Sequence, residues 1–97
     1  MIDRFLSNLF KIQNVECPVG EKIHGYLTVH ETPAYVHQVP FTLVNGVGEG
    51  PILLINGGEH GSEYNGPAGC LKLIDTIDPN KINGKIILVP MVNTLAF

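Results

Sequence analysis

A chain of 97 residues carries at most one small domain, and a domain of that size buries a smaller share of its surface than a larger one. With 44% hydrophobic and only 15% charged residues it reads as globular with much of the chain committed to core; a net charge of −3 on six Lys and Arg, with no basic run, argues against a nucleic-acid surface. No stretch reaches the ~18 apolar residues of a membrane span, residues 1–10 lack the apolar centre of a secretory signal, and Cys17 and Cys70 are isolated, without a CxxC pair, as suits a reducing compartment. The expected location is the cytoplasm, with no membrane and no nucleic acid among the partners.

Ile2, Phe5, Leu6, Leu9 and Phe10 recur at helical spacing, so a short amphipathic helix is expected over 2–10. It is too short and too poor in Lys and Arg for a membrane-surface helix, and its apolar face is assigned to packing. Residues 17–21 (Cys-Pro-Val-Gly-Glu) read as a turn. From Lys22 to His30 the chain alternates, with Ile23, Gly25, Leu27 and Val29 on one side and His24, Tyr26, Thr28 and His30 on the other, which is a half-buried strand. A second strand is expected over 35–44; Pro40 cannot donate to a ladder, so this strand is placed at an edge or broken by a bulge. The connector 31–34 is too short for a crossover, so the two strands pair antiparallel.

Residues 45–51 are dense in turn formers and read as a loop. Ile52-Leu53-Leu54-Ile55 is then a short continuous apolar run, as expected of a strand buried on both faces of a parallel sheet. A helix follows, starting between Ser62 and Asn65 because Pro67 is tolerated only near a helix start. Ala68, Leu71, Ile74 and Ile77 share its apolar face, and Lys72, Asp75 and Thr76 point away. Asp78-Pro79-Asn80 ends it, Asn83-Gly84 is a tight turn, and Ile86-Ile87-Leu88-Val89 is a second buried strand. Strand, helix, strand makes a βαβ unit, for which a right-handed crossover is expected.

Between the first of these strands and the helix lies Gly57-Gly58-Glu59-His60-Gly61-Ser62-Glu63. His60 and Glu63 offer an imidazole nitrogen and a carboxylate oxygen, both ordinary Zn²⁺ ligands, and a catalytic zinc site needs roughly three such ligands plus water. The position just beyond a strand's carboxyl end is where open α/β sheets bind ligands. The competing reading of the same residues is a glycine-rich loop whose Glu63 caps the following helix. For His24, His30 and His37 the expected state is solvent-facing or hydrogen-bonded, with no metal. Glu59 is either a partner that orients His60 or a solvated carboxylate; Asn93 is either a cleft residue or a turn residue. Cys70 is assigned to packing, since burial makes thiols inert.

The ordered combination VNGVGEGPILLINGGEHGSEYNGP, helix, INGKIILVP, VNTLAF resembles the amino-terminal part of the succinylglutamate desuccinylase/aspartoacylase family, zinc carboxypeptidase-like deacylases, over residues 39–97. Residues 1–38 resemble, more loosely, the family's variable β-rich opening segment. Glu59 stands where the family typically has a small hydrophobic residue, Ser62 replaces an Asp, and Thr94 replaces a proline; none of these removes a ligand. The resemblance implies one partial domain with a zinc-carboxypeptidase-like α/β fold, antiparallel strands leading into a βαβ unit of a mixed sheet. It implies zinc held by His60 and Glu63. The third ligand (a His), a substrate-binding Arg and Asn, and a general-base Glu are expected beyond Phe97, so no catalytic residue is assigned within the chain. The activity implied is hydrolysis of an N-acyl amino acid or related amide: zinc lowers the pKa of a bound water towards ~7, the Glu takes its proton, and the Arg grips the substrate carboxylate.

On this reading the chain by itself is inactive, and its partners are a small N-acylated substrate and the remaining carboxyl-terminal part of the same enzyme. The alternative is a non-catalytic interaction or complementation fragment, which would expose apolar surface and self-associate. A third reading, anion binding by the glycine-rich loop, lacks the Gly-x-x-x-x-Gly-Lys-Ser/Thr pattern and any basic partner.

Overall fold

The computed structural model describes residues 9–57 and 65–90. They build two layers of packing on either side of one mixed sheet. The first element is a small hairpin of β1 (Phe10–Ile12) and β2 (Val15–Cys17), with Phe10 opposite Cys17 and Gln13 at φ 51° in its turn. Residues 2–8 of the expected amino-terminal helix lie outside the described residues, and at its far end the expectation is corrected: Phe10 opens a strand. Over so few residues the apolar pattern does not separate a helix from a strand. Pairing with Cys17 then puts Phe10 into the core.

The larger sheet runs in the order β3-β4-β6-β5. β3 (Lys22–Glu31) and β4 (Val36–Asn45) pair antiparallel, with Lys22 opposite Val44 and an irregularity between Thr28 and His30. β6 (Asn83–Val89) is antiparallel to β4, and β5 (Gly48–Asn56) lies parallel to β6. The helix α1 (Asn65–Thr76) connects β5 to β6, completing the βαβ unit, followed by a single 3-10 turn at Pro79–Lys81 capped by the Asp78 carboxylate on the Asn80 N–H at 3.0 Å.

The expectation that the Pro40 strand lies at an edge or is broken by a bulge is corrected in part: β4 as a whole sits between β3 and β6, so it is not an edge strand over 42–45, but at Pro40 it has β3 alone beside it. The chain tolerates the proline through the alternation of an antiparallel ladder. Asn45 turns both its N–H and its C=O towards the segment leading into β3, bonding Glu21 O at 3.0 Å and Gly20 N at 2.7 Å. Val44, Thr42 and Pro40 therefore turn theirs towards β6. Thr42 opposite Leu88 is the last pair of that ladder. The next bonded pair would be Pro40 with Pro90, and neither has an N–H to give. The ladder stops where its donors stop, and residues 36–41 continue with β3 alone.

The loop expected over 45–51 shrinks to Gly46 and Val47, and β5 starts at Gly48. Gly84, at φ +90°, makes the close crossing beside it: a Cβ there would come within 2.3 Å of the Pro51 carbonyl oxygen. The strand 52–55 is the point of sharpest disagreement with the sequence expectation. With β3 it is one of the sheet's two edge strands among the described residues, and Ile52, Leu53 and Leu54 are 62%, 53% and 56% exposed. An unbroken apolar run records a strand suited to cover on both faces, and here β6 flanks it on one side while α1 reaches little beyond Ile55.

Two clusters hold the sheet. Phe10, Cys17, Val39, Phe41, Leu43 and Val89 pack on one face under the β1–β2 hairpin. Val44, Ile74 and Leu88 pack on the other, between sheet and α1. Each fully buried large side chain, such as Phe41, Leu43 or Leu88, contributes on the order of 1.5–3 kcal/mol by leaving water. The buried residues of α1 are Cys70 and Ile74, with Leu73 and, just past the helix end, Ile77 partly buried; Ala68 and the 56%-exposed Leu71 of the expected face are exposed, so that face is turned by about one position. The helix has no basic residue in its last turn, and Lys22 of β3 supplies one, its Nζ donating to the carbonyls of Ile74 and Ile77.

Candidate functional site

The two parallel strands bring their carboxyl ends to one rim. Asn56 opposite Val89 is their last pair, and the Gly57 N–H donates to the Val89 carbonyl at 3.0 Å. The loop that follows Gly57 leaves the sheet there and enters α1 at Asn65. Its ends are thus set by a strand end and a helix start, the place where open α/β sheets gather ligands. His60 and Glu63 belong to this loop and lie outside the described residues, as do Glu59, Ser62 and, after β6, Asn93.

Beside the rim stands the part of the β3–β4 hairpin that has outrun β6. His24 and Tyr26 of β3, Pro40 of β4, Leu71 and Ile74 of α1, and Pro90 border an open, largely apolar cavity of about 420 Å³. His24 carries the main polar contact there, its Nδ1 lying 2.8 Å from Thr42 Oγ1. Nothing in the sequence pattern marked this cavity, because it depends on the Pro40–Pro90 gap and on where α1 packs, both set by residues distant in the chain. The rim loop begins at Gly57, bonded to Val89, one residue from the cavity-lining Pro90.

The other histidines sit at the far end of the same hairpin. His30 and His37 are register partners, and the His30 ring lies 5.8 Å from the Tyr35 ring, tilted by 52°. Among the described residues no three His, Cys, Asp or Glu side chains gather into a group fit to hold a metal ion. Cys70 is buried on α1, and burial pushes its thiol up from the ordinary value, away from the nucleophilic thiolate. Cys17 is raised too, by burial first, against the lowering effect of backbone hydrogen bonds at Asn45 and Ile23; its Sγ donates to the Glu21 carbonyl at 3.2 Å and to the Leu43 carbonyl at 3.5 Å. Both cysteines are free and behave as core.

Against known proteins, a model of the succinylglutamate desuccinylase/aspartoacylase catalytic domain matches residues 49–97. The N-alpha-acetyl-L-2,4-diaminobutyric acid deacetylase of Halomonas elongata is 38% identical over 77 residues, covering 75% of this chain and 22% of that protein. Among solved structures, the product-bound ectoine utilization protein EutE (DoeB) of Ruegeria pomeroyi matches with a TM-score of 0.68 at 32% identity, over 78% of this chain and 24% of that one. An aspartoacylase family protein of Mesorhizobium loti matches at a TM-score of 0.67 and 36% identity, over 79% and 26%. The chain therefore spans about a quarter of the length of these relatives. The family match takes in β5 from Glu49 on, the residues between it and α1, α1 and β6, and the solved relatives share the fold of this mixed sheet and helix. The chain belongs to the succinylglutamate desuccinylase/aspartoacylase family.

Proposed function

We propose that this chain is the part of a zinc-dependent amide hydrolase that carries two of the metal's ligands, His60 and Glu63, in a zinc carboxypeptidase-like fold working in the cytoplasm. The observation that supports the reading is that β5 and β6 share a carboxyl end at Asn56 and Val89, and His60 and Glu63 follow that end in sequence, in a family whose named relatives are deacylases. The donor set fits zinc in kind, one imidazole and one carboxylate, and is short of the roughly three protein ligands of a catalytic site. When bound, zinc would polarise an amide carbonyl and supply an acidic water.

The chain's own contribution is positional. The Gly57 N–H bond to Val89 anchors the loop's start to the sheet, and α1, clamped at its far end by Lys22, anchors its finish. Such anchoring limits the freedom of two ligands that sit three residues apart. The substrate class supported by the relatives' names is an N-acylated amino acid, such as the N-acetyl-diaminobutyrate of the Halomonas elongata protein. Residues 1–97 alone are expected to bind zinc weakly and to turn over nothing, since two ligands leave the metal under-coordinated.

The test is metal analysis and N-acyl amino acid hydrolysis on a protein extended to the full length of the family. His60→Ala and Glu63→Gln are expected to strip the metal and the activity together. A full-length protein without zinc, or one indifferent to His60→Ala, overturns the reading, and so does deacylase turnover by residues 1–97.

A further inference from the structure

The irregularity in β3 moves one histidine across the sheet. Along Lys22–Thr28 the strand alternates, and His24, Tyr26 and Thr28 share one face. Unbroken alternation would keep His30 with them. The register instead steps from Thr28 opposite Gln38 to His30 opposite His37, so β3 uses one residue more than β4 there, and Val29 is the extra one of a β-bulge. β4 alternates without a break, which sets His37 on the face of Val39, Phe41 and Leu43. His30, directly opposite, is on that face too. Its ring accordingly lies 5.8 Å from that of Tyr35, the diagonal neighbour two residues before His37.

The bulge is held from both ends. Before it, Thr28 is fixed three times: its N–H donates to Gln13 Oε1 at 3.0 Å, its carbonyl accepts from Gln13 Nε2 at 3.2 Å, and its hydroxyl accepts from Gln38 Nε2 at 3.3 Å. After it, the Thr32 N–H donates to the Tyr35 carbonyl at 2.8 Å, and Thr32 Oγ1 accepts from the N–H groups of Ala34 and Tyr35. Bulges that re-aim a side chain are over-represented beside functional sites. From Ile23 to Asn45 the hairpin has no Lys or Arg, and its one acidic residue is Glu31, next to His30. Both features suit a bound cation.

We propose that His30 and His37 form a two-imidazole chelate for a divalent transition-metal ion, with water completing the coordination. Residues directly opposite across an antiparallel ladder have Cβ atoms about 4.5–5.5 Å apart, within reach of one ion through metal–nitrogen bonds of about 2.0–2.1 Å. Each imidazole has two nitrogens, so one can serve a protein neighbour while the other holds the metal. Imidazole ligands select copper, nickel and zinc over magnesium and calcium, with Cu²⁺ the tightest. Among the described residues no third His, Cys, Asp or Glu joins the pair in a metal-binding group, so the site is open, and His30 is exposed to an entering ion. The chelate involves neither His60 nor Glu63, and it stands or falls apart from the zinc reading.

The experiment titrates residues 1–97 carrying His60→Ala with Cu²⁺ and with Ni²⁺, so that the glycine-rich loop cannot answer for the hairpin. Pulsed EPR of the bound Cu²⁺ is expected to show two coordinated imidazoles. Ni²⁺ is expected to raise the unfolding temperature, because the site exists only where the two strands are paired. His30→Gln and His37→Gln are each expected to weaken Cu²⁺ binding by roughly tenfold or more, to leave one imidazole on the copper and to abolish the Ni²⁺ effect, with unchanged far-UV circular dichroism. His24→Gln, on the opposite face, is expected to change none of these readouts. Binding that survives both hairpin substitutions, a copper signal without two imidazoles, or an equal loss on His24→Gln overturns the proposal.

Discussion

β6 and β5 are neighbours of nearly the same composition, one Ile-Ile-Leu-Val, the other Ile-Leu-Leu-Ile, and their fates differ completely. Leu88 of β6 is fully buried, while Leu54 of β5, a leucine in the same kind of apolar run, is 56% exposed. The difference is the number of neighbours: β6 has β4 on one side and β5 on the other, with clusters on both faces, and β5 has β6 alone among the described residues. Hydrophobicity states what a strand can accept. Its place in the sheet states what it receives.

The contrast is sharpest in unfolding free energy. Leu88→Ala is expected to destabilise the chain by about 2–5 kcal/mol, the range for an unrelieved core cavity, against less than about 1 kcal/mol for Leu54→Ala. Urea titration of the two variants checks it, and equal losses would mean that β5 is covered in solution. Asn45→Ala comes next. Its Nδ2 donates to the Cys17 carbonyl at 2.9 Å, tying the β1–β2 hairpin to the sheet, and the loss should cost about 1–3 kcal/mol with earlier amide exchange in the hairpin. Lys22→Met removes the donors that cap α1 while keeping the apolar stem, for an expected loss near 1 kcal/mol and fraying of the helix end seen by exchange at Ile77. Smallest is Leu54→Lys, expected to leave stability within about 0.5 kcal/mol while raising the concentration at which the chain stays monomeric. Thiol labelling checks the packed core independently. With Cys17 and Cys70 both buried and shifted upward, folded protein at pH 8 should react slowly with a disulfide reagent and fully once unfolded in urea.

How far the sequence could be read follows the same division. The β3–β4 hairpin and the βαβ unit were legible because a period of two and a continuous apolar run are local signals, and a turn-rich loop between strand and helix marks a rim. The β1–β2 hairpin was not, because Phe10 and Leu9 fit a helical period as well as a strand. The place of Cys70 in the packing was legible too, but the exposure of Leu71 was not, because a shift of 100° on a helix hangs on where the sheet lies. The internal position of β4 was hidden by Pro40, whose missing donor faces a gap that only Pro90, fifty residues on, creates. The cavity at His24 and the clamp from Lys22 depend on contacts across 52 residues, and no local pattern records them.

By itself the sequence determined the kinds of elements from β3 onward, the antiparallel hairpin followed by a parallel pair, and the glycine-rich stretch bearing His60 and Glu63, since each rests on the chemistry of adjacent residues. Tertiary structure alone decided which apolar strand became centre and which became edge, which helix face was buried, and where the Pro40–Pro90 gap opened the sheet. Burial and ladder hydrogen bonds belong to pairs of segments distant in the chain, and a local pattern does not contain its own partner.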